Sequence, residues 1–117
     1  MDLRDLVSAL VAGEALVARQ WVADARRAGV VWTTFHDPCL SDPVAQAVAA
    51  GIAELLAQRA GQPPPAWTAS VPAAPYAFFL VRAAHTMPRL RRECERESPE
   101  PLRRRRLFAP ADFLTAA

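Results

Sequence analysis

Leu3, Leu6, Val7, Leu10 and Val11 recur at the i, i+3, i+4, i+7 and i+8 positions of a helix, with Asp2, Arg4, Asp5 and Ser8 on the opposite side. The spacing predicts an amphipathic helix interrupted by Gly13. A second follows in EALVARQWVADARRAG, where Val17, Trp21 and Ala25 form one row and Ala18, Val22 and Ala28 lie beside it. Glu14 near its start and Arg26 and Arg27 near its end suit the helix dipole, and Gly29 is a natural C-cap. The short join makes the pair a helical hairpin. After VVWTTFHDPCLSDP, which reads as irregular or extended chain, Asp42 and Pro43 supply an N-cap and first helical residue for a third helix. Val44, Val48, Ile52, Leu55 and Leu56 share one face of it, and Gly61 ends it. Ala47, Ala49, Ala50 and Gly51 would let a neighbouring backbone come close, so this helix is expected at the centre of the fold.

The second half is punctuated differently. QPPPAWTASVPAAP holds five of the eleven prolines and cannot be a regular helix. Trp67 in its middle predicts an ordered strap packed on the core rather than a free linker. In YAFFLVRAAH, helical spacing puts Tyr76, Phe79, Leu80 and Ala83 on one side and Phe78 and Val81 on the other. A helix over 76–84 with two apolar sides is expected to be central or to self-associate, which would make the chain a homodimer. TMPRLRRECERE predicts a helix capped by Thr86, with Met87, Leu90 and Cys94 as its apolar stripe and Arg89–Glu93 and Arg91–Glu95 as i,i+4 ion pairs. Ser98 and Pro99 repeat the N-cap and first-residue signature, placing Arg103 to Arg106 on a last helix, with a shorter one from Pro110. The expectation is one compact all-α domain over 1–117, of five or six helices with the proline strap across it. Its core should include Leu6, Leu10, Val17, Trp21, Val48, Ile52, Leu55, Trp67, Phe79 and Leu80.

Composition and charge narrow the function. All fourteen basic residues are arginine, which fits a high-GC genome as well as a binding role. Their placement says more: residues 82–106 carry nine arginines against four glutamates, a local +5 in a chain of net +2. Two cysteines, Cys39 and Cys94, exclude a disulfide-built scaffold. The N-terminus alternates charge with apolar residues, unlike a signal peptide, and VAQAVAAGIAELLAQ carries Gln46, Glu54 and Gln58, unlike a membrane span. A cytoplasmic protein without membrane contact is expected.

Catalytic constellations are thin. His36, Asp37 and Cys39 in FHDPC could share a metal or activate a thiol, but a zinc site would need two more ligands, and only His85 and Cys94 remain. Loop packing and a turn at Asp37-Pro38 are the expected roles. Neither a P-loop nor a dinucleotide-binding glycine pattern occurs, and four glycines leave little material for a phosphate cradle. No cofactor, metal or enzymatic activity is expected. The basic third reads instead as a contact surface: Arg91, Arg92, Arg103, Arg104, Arg105 and Arg106 supplying charge-assisted hydrogen bonds, with Phe108 and Phe113 as exposed anchors. Four consecutive helical arginines point in four directions, so a solvated helix with one arginine paired to a glutamate stays open beside an acidic protein surface, and both suit the run better than a phosphate backbone. Nucleic-acid binding by 82–106, as an adaptor, is the alternative.

Trp21, the RAGQPPPAW strap and the SPEPLRRR to FLT ending resemble a family of short proteins of high-GC bacteria across nearly the whole chain. More loosely, a Pro-Ala-Trp strap followed by a helix, Ser-Pro, an arginine-rich turn and a Phe is similar to the C-terminal module of antitoxin regulators encoded beside a toxin gene. Those relatives commonly carry a DNA-binding helix-turn-helix, which is not read in this chain. The resemblance therefore implies binding and neutralising a toxin or enzyme from a neighbouring gene, not transcriptional autoregulation.

Overall fold

Asp2 starts the first helix, α1 (Leu3–Ala12), by accepting a hydrogen bond from the Arg4 amide at 2.9 Å, which satisfies one of the amides a helix start leaves free. The computed structural model describes residues 1–115. α1 buries Leu3, Leu6, Val7, Ala9 and Leu10, and the chain then reverses at Gly13 with φ 75°. A Cβ at Gly13 would be strained by that left-handed backbone and would lie 2.9 Å from Arg82 Nε. α2 (Ala15–Ala28) returns along α1, completing the expected hairpin. Its buried row is Ala18, Val22 and Ala25, not the expected Val17, Trp21 and Ala25. Val17 is 53% exposed and Trp21 half-buried, because α2 meets its neighbours through its alanines and turns its Val17 edge to solvent.

α3 (Pro43–Arg59) is the central helix. Asp42 caps it through the Val44 amide, and every residue from Ala47 to Ala57 is buried. α1, the strap and the segments Glu100–Arg103 and Leu107–Phe108 all pack on it. Gly51 makes the last two approaches possible: a Cβ there would come within 3.1 Å of both Leu102 Cδ2 and Leu107 Cδ1. Between α2 and α3, Trp32 is buried in a 3₁₀ turn and stacks on Phe35 at 5.1 Å, with Trp21 6.0 Å from each ring. The strap is ordered as expected. Its 3₁₀ turn (Ala66–Ser70) aims the Trp67 indole N–H at the Phe35 carbonyl, 2.9 Å away, although Trp67 itself is only half-buried.

Residues 76–84 do not form the expected helix. Phe78 and Phe79 form a short strand, β1 (Phe78–Phe79), which pairs in parallel with β2 (Leu107–Phe108), and a 3₁₀ turn (Arg82–His85) follows. The two-sided apolar character has period two. Phe78 and Leu80 pack on the main core, whereas Phe79 joins a separate small cluster with Ala84, Leu90, Cys94 and Phe108. Both sides are thus used within the chain, which removes the ground for self-association through this segment.

α4 (Pro88–Glu97) sits on that small cluster, away from the main core. Its cap is Met87 rather than Thr86, whose hydroxyl donates to the Ala83 carbonyl of the preceding turn. The expected last helix shrinks to α5 (Glu100–Arg103), capped by Pro99. Ser98 is diverted from capping because its buried hydroxyl donates to the Leu107 carbonyl at 2.9 Å. Arg104 to Arg106 form a turn, and Arg106 takes φ 62° to direct the chain into β2. From Pro110 the chain makes turns, not a helix, held by the Arg59 guanidinium on the Ala111 and Phe113 carbonyls. The described residues form an all-helical single domain, 58% helix with five helices and almost no strand.

Candidate partner-binding surface

The basic third resolves into arginines that hold the fold and arginines that do not. Arg105 is only 5% exposed. Its guanidinium meets Glu54 on α3 through Nη1 and the Thr68 carbonyl of the strap through Nη2 at 2.7 Å. Arg104 reaches the same Glu54 oxygen at 2.5 Å from the half-exposed side, and the Thr68 hydroxyl donates to the other oxygen at 3.1 Å. Burial pushes the Glu54 carboxyl up, but the hydrogen bonds and positive charge of Arg104 and Arg105 outweigh it and hold the group below the usual carboxylate range. This is a structural staple joining α3, the strap and the C-terminal turn. Arg105 is therefore not available to a partner.

Other expected contact residues are similarly engaged. Arg91 lies with its guanidinium carbon 4.5 Å from the centre of the Phe79 ring and its Nε 3.4 Å from Glu95. Arg103 donates to the Arg96 carbonyl at 2.8 Å, covering the C-terminal end of α4, and Arg106 donates to the Pro75 carbonyl at 3.2 Å. Phe108 stacks on Phe79 at 5.4 Å, and Phe113 packs against the main core. Both are half-buried supports of the fold rather than exposed anchors.

Of the nine arginines between 82 and 106, three have side chains with no ion-pair or hydrogen-bond partner among the described residues: Arg89, Arg92 and Arg96. All three are exposed, and all lie on α4 at i, i+3 and i+7. At 100° per residue they fall within about 60° of arc, pointing away from the buried Cys94 and half-buried Leu90. The expected Arg89–Glu93 pair does not form. Only Arg92 of this stripe was an expected contact residue. Arg89 and Arg96 could have been found by asking which face of the helix opposes Leu90 and Cys94.

FHDPC behaves as turn chemistry. Asp37 accepts from the Cys39 amide at 2.9 Å and from the Gln46 side chain at 2.7 Å, and these bonds hold its carboxyl below the usual range. Both cysteines are free, Cys39 exposed and Cys94 buried. Burial and the neighbouring Glu93 push the Cys94 thiol up. Among the described residues no three His, Cys, Asp or Glu side chains are grouped to hold a metal, and no helix is long and apolar enough to cross a membrane. No family model, curated protein or solved structure matches this chain.

Proposed function

We propose that this chain is a non-catalytic protein-binding module whose contact face is the outer side of α4, and that it acts by occluding a partner, in the manner of an antitoxin neutralising a toxin or enzyme from a neighbouring gene. One observation carries this reading. In a segment where six of nine arginines are committed to intramolecular contacts, the three left over share a single helix face. Guanidinium groups standing free in water offer five donors each to an incoming carboxylate, with no partner among the described residues to be displaced first. The support beneath them also favours a contact role: α4 is pinned by Phe79, Leu90, Cys94 and Phe108 and by the Arg91–Phe79 contact, so the face is presented on a fixed helix.

The test is capture from the chain's own cell extract, with and without nuclease, using three forms of the tagged protein. The wild type should retain a stoichiometric protein after nuclease treatment. Replacing Arg89, Arg92 and Arg96 by Glu should abolish its capture, whereas replacing the equally unpartnered Arg19 and Arg26 on α2 should not. Equal capture by all three forms, or recovery of nucleic acid alone, would overturn the reading.

A further inference from the structure

The chemistry around the arginine stripe restricts what can lie on it. Measured around α4, Arg92, Arg96 and Arg89 occupy the outward centre, Glu93 and Glu97 follow within about 80° of Arg89 on one flank, and Glu95 borders the other. Glu93 and Glu97 have no ion-pair partner among the described residues, and Glu95 is engaged by Arg91. Across the helix the positive stripe is therefore bordered by free carboxylates on one flank and by an ion-paired carboxylate on the other. A polyanion broader than the stripe, whether a nucleic-acid backbone or an anionic lipid surface, would set its own charges against these carboxylates. Like charges brought together at a contact oppose binding and act as a filter against wrong partners.

We propose, building on the protein-binding reading, that α4 receives a partner α-helix bearing carboxylates at i, i+3 and i+7 with basic residues on both flanks. Arg89, Arg92 and Arg96 step along α4 by about 4.5 and 6 Å, the same rises that separate side chains at those spacings on a second helix. Each guanidinium can therefore meet one carboxylate along near-parallel axes, and the partner's flanking cations meet Glu93, Glu97 and Glu95. The arrangement is the charge logic by which helices choose each other at the edges of coiled coils. The stripe itself carries no apolar anchor. Met87, 53% exposed, precedes α4 as its N-cap residue. Association should accordingly be fast and salt-sensitive.

The experiment titrates the isotopically labelled full chain with four probes and follows backbone amide shifts. The probes are a helical peptide with Glu at i, i+3 and i+7 and Lys on both flanks, a peptide of the same composition in scrambled order, a double-stranded oligonucleotide, and vesicles containing anionic lipid. The patterned peptide should move the amides of Pro88–Glu97 residues other than proline and bind about tenfold more tightly than the scrambled one. Arg92→Glu should remove that preference, and a peptide with its central Glu changed to Lys should restore binding to the Arg92→Glu variant. Equal binding of patterned and scrambled peptides would overturn the pattern while leaving protein binding intact. Tighter binding of oligonucleotide or vesicle than of either peptide would overturn both, and an absence of shifts in α4 with every probe would overturn the helix-receptor proposal.

Discussion

Glu54→Gln isolates the staple at the centre of the molecule. The substitution keeps the size of the side chain and removes its charge, leaving two guanidinium groups in different positions. Arg104 is half exposed and can turn to water, so losing its ion pair should cost no more than about 1 kcal/mol. Arg105 cannot. It is 5% exposed, its Nε is already buried without a partner, and its other donors are fixed on the Thr68 and Pro101 carbonyls. A charge left uncompensated in that position costs about 3–5 kcal/mol, about a fifth or more of the stability of an ordinary domain. For a chain of this length that corresponds to a fall in melting temperature of about 12–20 °C. Urea denaturation of the wild type, Glu54→Gln, Arg105→Gln and Arg104→Gln, with the Gln double variants, gives the coupling energies directly. The Glu54–Arg105 coupling should exceed about 2 kcal/mol and the Glu54–Arg104 coupling should stay below about 1 kcal/mol. A Glu54→Gln variant within about 1 kcal/mol of the wild type would refute the argument that Arg105 is held by this carboxylate.

The same carboxylate contributes to the acid limb of stability. Its pKa is depressed in the folded state, so its contribution is complete above the ordinary glutamate value, declines as the pH falls through the folded value, and should be missing from the acid profile of Glu54→Gln. Gly51→Val forces branched carbon against Leu102, Leu107 and the Pro101 carbonyl, and should destabilise by about 1–3 kcal/mol in chemical denaturation. Gly13→Ala should destabilise by at least about 1 kcal/mol because it adds a left-handed strain to a clash with Arg82, whereas Gly29→Ala, with open space around it, meets the strain alone. In the native protein a thiol reagent should titrate one cysteine, Cys39, with the buried Cys94 reacting only after denaturant is added; rapid reaction of two thiols would contradict the packing of α4.

The first three helices were legible because local signals sufficed. Gly13, Gly29, Asp42, Pro43 and Gly61 mark boundaries through their own local chemistry, and the alanine-rich stretch with Gly51 announces a helix that neighbours can approach. Val17 misled because hydrophobicity alone ranks it above Ala18, whereas close packing of α2 selects the smaller side chain. Residues 76–84 misled for a related reason. Apolar side chains on two sides fit a buried helix and a buried strand equally, and the deciding partner, Leu107–Phe108, lies far along the chain. The arginine run was the least legible part of the surface. Whether Arg105 faces water depends on a carboxylate 51 residues earlier. Glu54 offered a clue, as a single acid within an apolar helix needs a buried cation, but nothing local says which of fourteen arginines supplies it.

The staple also imposes an order of events during synthesis on the ribosome. α3 emerges with Glu54 set among the side chains that will form the core, and the two arginines that neutralise it are translated some fifty residues later, beside the β2 residues that close over Gly51. Until that segment is in place, the central helix carries an unanswered carboxylate and an open groove where Leu102 and Leu107 belong. Early collapse of the N-terminal half around α3 is thereby penalised, and completion of the core is tied to arrival of the C-terminal turn. One buried charge thus couples the central helix to a turn about fifty residues further along the chain.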